Sequence, residues 1–295
     1  MSEIRIDALL PAEMATRAEY LGVRKAEMPA LKMFTLAILA GAFISLGAVF
    51  ATTVTAGSVT VTLPDGSAAF STGLPYGLIR LLGGAVFSLG LILVVIGGAE
   101  LFTGNNLIVM AWASGKVTGR ALLRNWLIVY LGNFVGAIGT ALLMFLSRQY
   151  TFGAASIGIV ALKTAITKSE LDFGQALVLG ILCNALVCMA VWLTYSARST
   201  IDKIAAIIFP ITAFVAAGFE HSIANMYYIP YALFIRAFDP EFMVSLGEEI
   251  PHLESLTWGN FFINNLIPVT VGNIIGGAVL VAAVYWSVFL RSKDS

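Results

Sequence analysis

Gly218-Phe219-Glu220-His221-Ser222-Ile223-Ala224-Asn225 sits in the middle of an apolar segment. Before it, Ile204 to Gly218 carry no charge; after it the apolar pattern resumes as Met226-Tyr227-Tyr228-Ile229-Pro230-Tyr231-Ala232-Leu233-Phe234-Ile235. A carboxylate beside an imidazole at that depth in a lipid-spanning segment is costly unless the pair faces a cavity or a partner. The stretch therefore reads as a break in a membrane helix that lines a permeation path. His221 is the group whose protonation matters.

Composition points the same way. The chain has 295 residues, of which 59% are hydrophobic and 12% charged; its mean hydropathy is +0.90. Soluble domains run at roughly 25% charged, so the sequence specifies an all-α integral membrane protein. A barrel is disfavoured because the apolar runs are long and do not alternate. A net charge of zero argues against nucleic acid as a partner. Cys183 and Cys188 share one apolar segment at a spacing that does not stack them on a helix face, so neither a disulfide nor a metal site is expected. No cofactor is implied. Met1 to Pro29 mixes acids and bases without an apolar stretch, unlike a signal peptide.

Residues 1–30 read as a short amphipathic helix on the cytoplasmic side, with Ile6, Leu10, Met14 and Leu21 on one face and Glu13, Arg17 and Arg24 between them. Six apolar segments follow, roughly 31–56, 77–113, 121–146, 173–197, 201–236 and 260–290, each long enough to span about 30 Å. The domains are thus the helix in 1–30, a six-helix channel domain over 31–290 and a cytoplasmic tail over 291–295. Lys and Arg bias places both termini inside. The 56–76 loop, with its Pro64-Asp65-Gly66 turn signal, and the acidic 237–257 loop then lie outside.

The second and fifth segments are too long, and too polar in the middle, to be plain helices. They also match each other. Gly98-Ala99-Glu100 followed by Asn105 parallels Gly218-Phe219-Glu220 followed by Asn225. Asn125 ahead of Gly132-Asn133-Phe134-Val135-Gly136 parallels Asn265 ahead of Gly272-Asn273-Ile274-Ile275-Gly276. Three spans separate the partners, and an odd number reverses direction, so the chain reads as two inverted three-helix repeats. Paired interrupted helices in inverted halves place a site between them.

Glu100 and Glu220 are a matched pair. A break frees backbone N–H groups that water cannot reach, and carboxylates can accept from them. Asn105, Asn133, Asn184, Asn225 and Asn273 supply both donor and acceptor for the same work. Gly132, Gly136, Gly272 and Gly276 are small residues that let helices approach closely. Thr103 offers a hydroxyl in the first break. Phe87, Leu91, Leu101 and Phe214 read equally as core or as hydrophobic constrictions. Lys168 reads either as a solvated charge or as an attractor of anions to the outer mouth.

These stretches resemble the formate/nitrite transporter family, most closely its formate channel branch. The resemblance is carried by Ala99 to Asn105, Gly132 to Gly136, Asn184 to Trp192, Gly218 to Met226 and Asn265 to Asn273, and covers nearly the whole chain. It implies an aquaporin-like protomer with helices 2 and 5 interrupted, a homopentamer in the cell inner membrane, and a pore in each protomer. It also implies His221 at the centre as proton donor, Thr103 opposite, Asn225 in the pore, constrictions at Phe87, Leu91, Leu101 and Phe214, and a matching lysine at Lys168. Glu100 and Gly104 resemble the nitrite branch instead.

The function implied is a channel or transporter, not an enzyme, for formate and related small monovalent anions, with a proton as co-substrate and the neutral acid as the permeating species. Nitrite, hydrosulfide or bicarbonate are alternatives within the family. A neutral-solute channel is the alternative outside it, although no Asn-Pro-Ala motif is present. A membrane enzyme would need a nucleophile–base pair or metal ligands, and His221 and His252 are the only histidines.

Overall fold

The computed structural model describes residues 8–58, 74–247 and 250–291. Ile6, the Pro64-Asp65-Gly66 turn, Glu248, Glu249 and most of the tail after 290 lie outside these residues. Helix α1 (Pro11–Ala26) precedes α2 (Ala30–Thr55) and α3 (Tyr76–Gly97). A 3-10 turn over Gly104–Ile108 leads into α4 (Val109–Ala113), and α5 is Gly119–Leu146. The second half runs α6 (Ser156–Ser169), α7 (Phe173–Thr194), α8 (Thr200–Ala217), α9 (Ser222–Phe238) and the short α10 (Pro240–Ser245). The last span, α11 (Trp258–Phe289), contains π-helical turns at Phe261–Leu266 and Ile275–Ala283. Among the described residues α2, α3, α5, α7, α8 and α11 are long and apolar enough to cross a bilayer.

Both expected breaks are present. α3 ends at Gly98 and α8 at Gly218, each in the left-handed region (φ 73° and 78°) that glycine adopts without steric cost. The chain then runs non-helically to the 3-10 turn in one half and to α9 in the other. Such backbone is tolerated in a bilayer only when its polar groups are satisfied inside the protein.

The satisfaction is built twice from the same parts. Glu100 N–H donates to the Leu36 carbonyl of α2, and Glu220 N–H to the Leu179 carbonyl of α7. Phe102 N–H donates to Asn133 Oδ1 at 2.9 Å, and Ser222 N–H to Asn273 Oδ1 at 3.0 Å. The same two amides donate back, Asn133 to the Ala37 and Glu100 carbonyls and Asn273 to those of Gly180 and Glu220. The asparagines, rather than the glutamates, thus take the freed backbone N–H groups. Each glutamate instead forms a buried ion pair, Glu100 with Lys25 and Glu220 with Lys168, both at 2.7 Å. Each also accepts from an amide, that of Asn105 or Asn225, which in turn donates to Asn125 or Asn265. Asn125 and Asn265 close the ring by donating to the carbonyls of Lys25 and Lys168 themselves.

The repeat is therefore larger than three spans. Lys25 lies on α1 and Lys168 on α6, so these two helices are counterparts; α1 packs on the half-helix after the first break and α6 on that after the second. α6 was not expected from the sequence, because at 14 residues it is too short to span. α1 starts later than expected, and Leu10, expected on its apolar face, is 66% exposed at the position before the helix, whereas Met14 is buried.

Close helix contact sets the spacing of this frame. A Cβ on Gly136 would land on the Ile38 carbonyl of α2, and one on Gly276 on the Ile181 carbonyl of α7. At the end of α9 away from α1, Asp239 accepts from the Tyr150 hydroxyl, from Arg148 and from Phe242 N–H. These bonds, the tyrosine's first, hold its carboxyl below the ordinary 3.8.

Three outcomes follow. Gly136→Ala should lower the thermal midpoint of detergent-solubilised protein, at an overpacking cost of about 1–3 kcal/mol, whereas Gly139→Ala, with nothing within 4 Å of its added carbon, should leave it unchanged. Asn133→Ala and Asn273→Ala each leave a buried N–H unsatisfied, and each should cost about 1–3 kcal/mol in the same assay. A depressed carboxyl pKa stabilises fully above the unfolded value and is lost as pH falls through the folded one. The melting difference between the wild type and Asp239→Asn should thus be constant above about pH 4 and shrink below it.

Candidate functional site

The two breaks meet through Thr103 and His221. Thr103 Oγ1 lies 3.0 Å from His221 Nε2, and both side chains are buried. His221 is also the N-cap of α9, its Nδ1 accepting from Ala224 N–H at 3.1 Å. That bond requires Nδ1 to be bare. A neutral imidazole must then carry its proton on Nε2 and donate it to Thr103 Oγ1. The threonine hydroxyl, having accepted, keeps its own proton to give to a third group.

The neighbours of the pair are apolar. The Phe214 ring stacks near His221 with centroids 5.9 Å apart, and Phe87 meets Phe214 edge-on at 5.7 Å. Two cavities approach from opposite sides. The one on the α1 side reaches Leu91, Leu101, Gly104 and Val191; the other reaches Phe87, Phe214, His221 and Asn225. Thr103 borders neither. Phe87, Leu91, Leu101 and Phe214 are each no more than 3% exposed, so buried apolar side chains and one polar pair lie between the cavities.

Further residues hold the pair in place. Asn184 Nδ2 approaches the Thr103, Asn106 and Asn273 polar atoms, at 3.3, 3.1 and 2.6 Å, and so links the first break to α11. Cys188 Sγ also donates to the Thr103 carbonyl. The Asn225 amide hydrogens are both committed, to Glu220 and Asn265, while its buried Oδ1 has no hydrogen-bond partner. Lys168 is not a free charge at the mouth: its ammonium binds Glu220 and lies over the Tyr228 ring.

Sequence reasoning missed Lys25, Val191 and Tyr228. Lys25 had a signal, since a buried Glu100 needs the counter-ion that Lys168 gives Glu220. Val191 had none beyond its place in the Asn184–Trp192 stretch.

The formate/nitrite transporter family model matches residues 12–287. The formate channel FocA of Escherichia coli (strain K12) is 49% identical over 289 residues, 98% of this chain and 97% of that protein. The formate channel FocA of Haemophilus influenzae is 42% identical over 93% of this chain and 92% of its own. Among solved structures, a pentameric formate channel with formate bound superposes with a TM-score of 0.79 at 46% identity, over 89% of this chain and 98% of that one. With its interrupted spans and its mirrored halves, this multi-pass membrane protein belongs to the formate/nitrite transporter family.

Proposed function

We propose that the chain is a formate channel that passes its cargo as the neutral acid, with the proton handled by His221 and Thr103. The observation that carries the proton-handling reading is the 3.0 Å contact between Thr103 Oγ1 and His221 Nε2 among the buried apolar side chains between the cavities. The identity of the cargo is supported by the formate channels among its relatives.

A bare carboxylate loses its water at such a constriction, at an effective cost of several kcal/mol even after relaxation. Protonating a simple carboxylic acid of pKa roughly 3.5–4 at neutral pH costs about 4–5 kcal/mol. The two routes are comparable, so a positioned donor decides between them. The route we propose runs through one chain of bonds. His221 Nδ1 first takes a proton from the cavity the ring borders, giving an imidazolium with a proton on each nitrogen. Its Nε2 proton then passes to Thr103 Oγ1 as the Thr103 hydroxyl proton passes to the carboxylate oxygen, which leaves a neutral imidazole protonated on Nδ1. The first step requires Nδ1 to release Ala224 N–H, so proton delivery costs the α9 cap, about 1 kcal/mol. Asn225 Oδ1, an unused acceptor, receives the O–H of the acid so formed.

The α1 side is assigned to the cytoplasm from the Lys and Arg bias. The pentamer of the structural relative is proposed here as well. Exposed Leu127, Leu131 and Leu143 on α5 give an apolar face for lipid or a neighbouring copy.

Proteoliposome flux tests the mechanism. Thr103→Val removes the hydroxyl at constant shape and should slow formate uptake at least about tenfold, the loss of one hydrogen bond to a charged group, while Thr103→Ser should retain it. His221→Phe should abolish the proton-coupled part of uptake; an unchanged pH dependence in that variant would remove His221 from the route. Swelling assays in formate, nitrite and glycerol separate this cargo from the alternatives.

A further inference from the structure

The mirrored frame holds two cavities that differ in size and in the number of cations around them. The cavity on the α1 side measures about 700 Å³ and the opposite one about 320 Å³. On the smaller side the cations are mostly committed. Arg80 donates to the Val215 and Ala216 carbonyls and Lys168 pairs with Glu220, leaving Lys163. Arg80 keeps its charge, since carbonyls do not neutralise it, so this side has two cations in excess of its carboxylate, Glu220.

The α1-side cavity is different. Arg17 is held by the Tyr195 carbonyl, and Lys25 by Glu100 and Asn105. Arg24, Lys32 and Lys203 line the same cavity from three separate elements, α1 and the first turns of α2 and α8. The Arg24 guanidinium meets Tyr20, one turn back on its own helix, and the Lys32 and Lys203 ammonium groups have no hydrogen bond or ion pair among the described residues. The unpaired carboxylate beside them is Glu27. Three cations beside one carboxylate around the open mouth of one cavity repel each other, and a counter-anion relieves that repulsion. Formate, with one charge and three heavy atoms, matches neither the charge nor the volume.

We propose that this cavity is a binding site for a multivalent anion, a phosphorylated or polycarboxylate metabolite too large to pass Leu91 and Leu101, and that its occupancy blocks the passage. Such a ligand joins α1 to α2 and α8, so it also fastens α1 over the mouth. The binding stands apart from the identity of the cargo; the block rests on the reading of the passage as an anion pore.

Two measurements on the full-length protein test this. In detergent, inorganic pyrophosphate and citrate should each be compared with sodium chloride at equal ionic strength, since salt alone screens charge. Either or both should raise the melting temperature of the wild type, as a ligand of the native state does. Which one does so distinguishes phosphate from carboxylate as the group recognised. Lys32→Ala and Lys203→Ala should each weaken that binding about tenfold, and together remove the shift. In vesicles of one orientation, the stabilising anion should slow formate flux from the α1 side and not from the other, and the ratio of blocked to unblocked flux should return to one in the double variant. No shift with either anion, or a shift unchanged in the double variant, would overturn the site. Equal block from both sides, or binding without block, would overturn the plug. If the wild type carries no formate at all, the melting shift still decides the site, so this proposal and the cargo assignment fail separately.

Discussion

Everything in this protein rests on where the backbone N–H and C=O groups of two helix breaks find partners. Within a bilayer such a group has no water to turn to, and each one left bare costs several kcal/mol. Asn133 and Asn273 meet the need with three bonds apiece, reaching into a break and across to a neighbouring helix at once. The ion pairs and amide ladders around Glu100 and Glu220 then fix the far side of each break. Donor and acceptor of Asn133 and Asn273 are both exhausted in these contacts, so the frame is rigid, while Asn225 Oδ1 in the second ladder is left as an open acceptor.

The frame is symmetric but the centre is not. At the place where one half carries His221, the other carries Leu101; the counterpart of Thr103 is Ile223, and that of Ser222 is Phe102. Gly41 and Asn184 are likewise counterparts. Gly41 lies so close to Asn133 that a side chain would strike its carbonyl, whereas the Asn184 amide fills the corresponding space beside Asn273 and extends to Thr103. A duplicated scaffold thus leaves a few positions without structural duty, and the polar pair occupies two of them.

Much of this was legible in the chain itself. Glu100 and Glu220, each followed at the same distance by an asparagine and preceded by a glycine, betrayed both breaks, because charge and glycine in apolar runs have few other uses. The six spans followed from length and hydropathy. What could not be read was anything lacking a period or a length signal. α6 is short and mixed in polarity, so only its tertiary role, supplying Lys168 to Glu220, marks it as the partner of α1. The preference of Glu100 for a lysine over backbone N–H groups depends on which helix lies beside it, which no local pattern encodes. The hydrogen bond that fixes the His221 tautomer depends on backbone geometry at the first turn of α9. The side chains named for the pore centre were identifiable by type; their mutual orientation was not.

The position of Lys25 changes how the N-terminus should be regarded. At 16 residues α1 is short for a bilayer span, and in sequence it looks like a detachable appendage. Yet its last turn carries the counter-ion of a carboxylate that is 4% exposed, and its carbonyl there receives the Asn125 amide. Trimming the chain past that lysine is a core mutation in disguise: it strands an anion in a greasy interior and unties a corner of the scaffold, so a shortened protein reports on a damaged helix frame rather than on an uncovered opening.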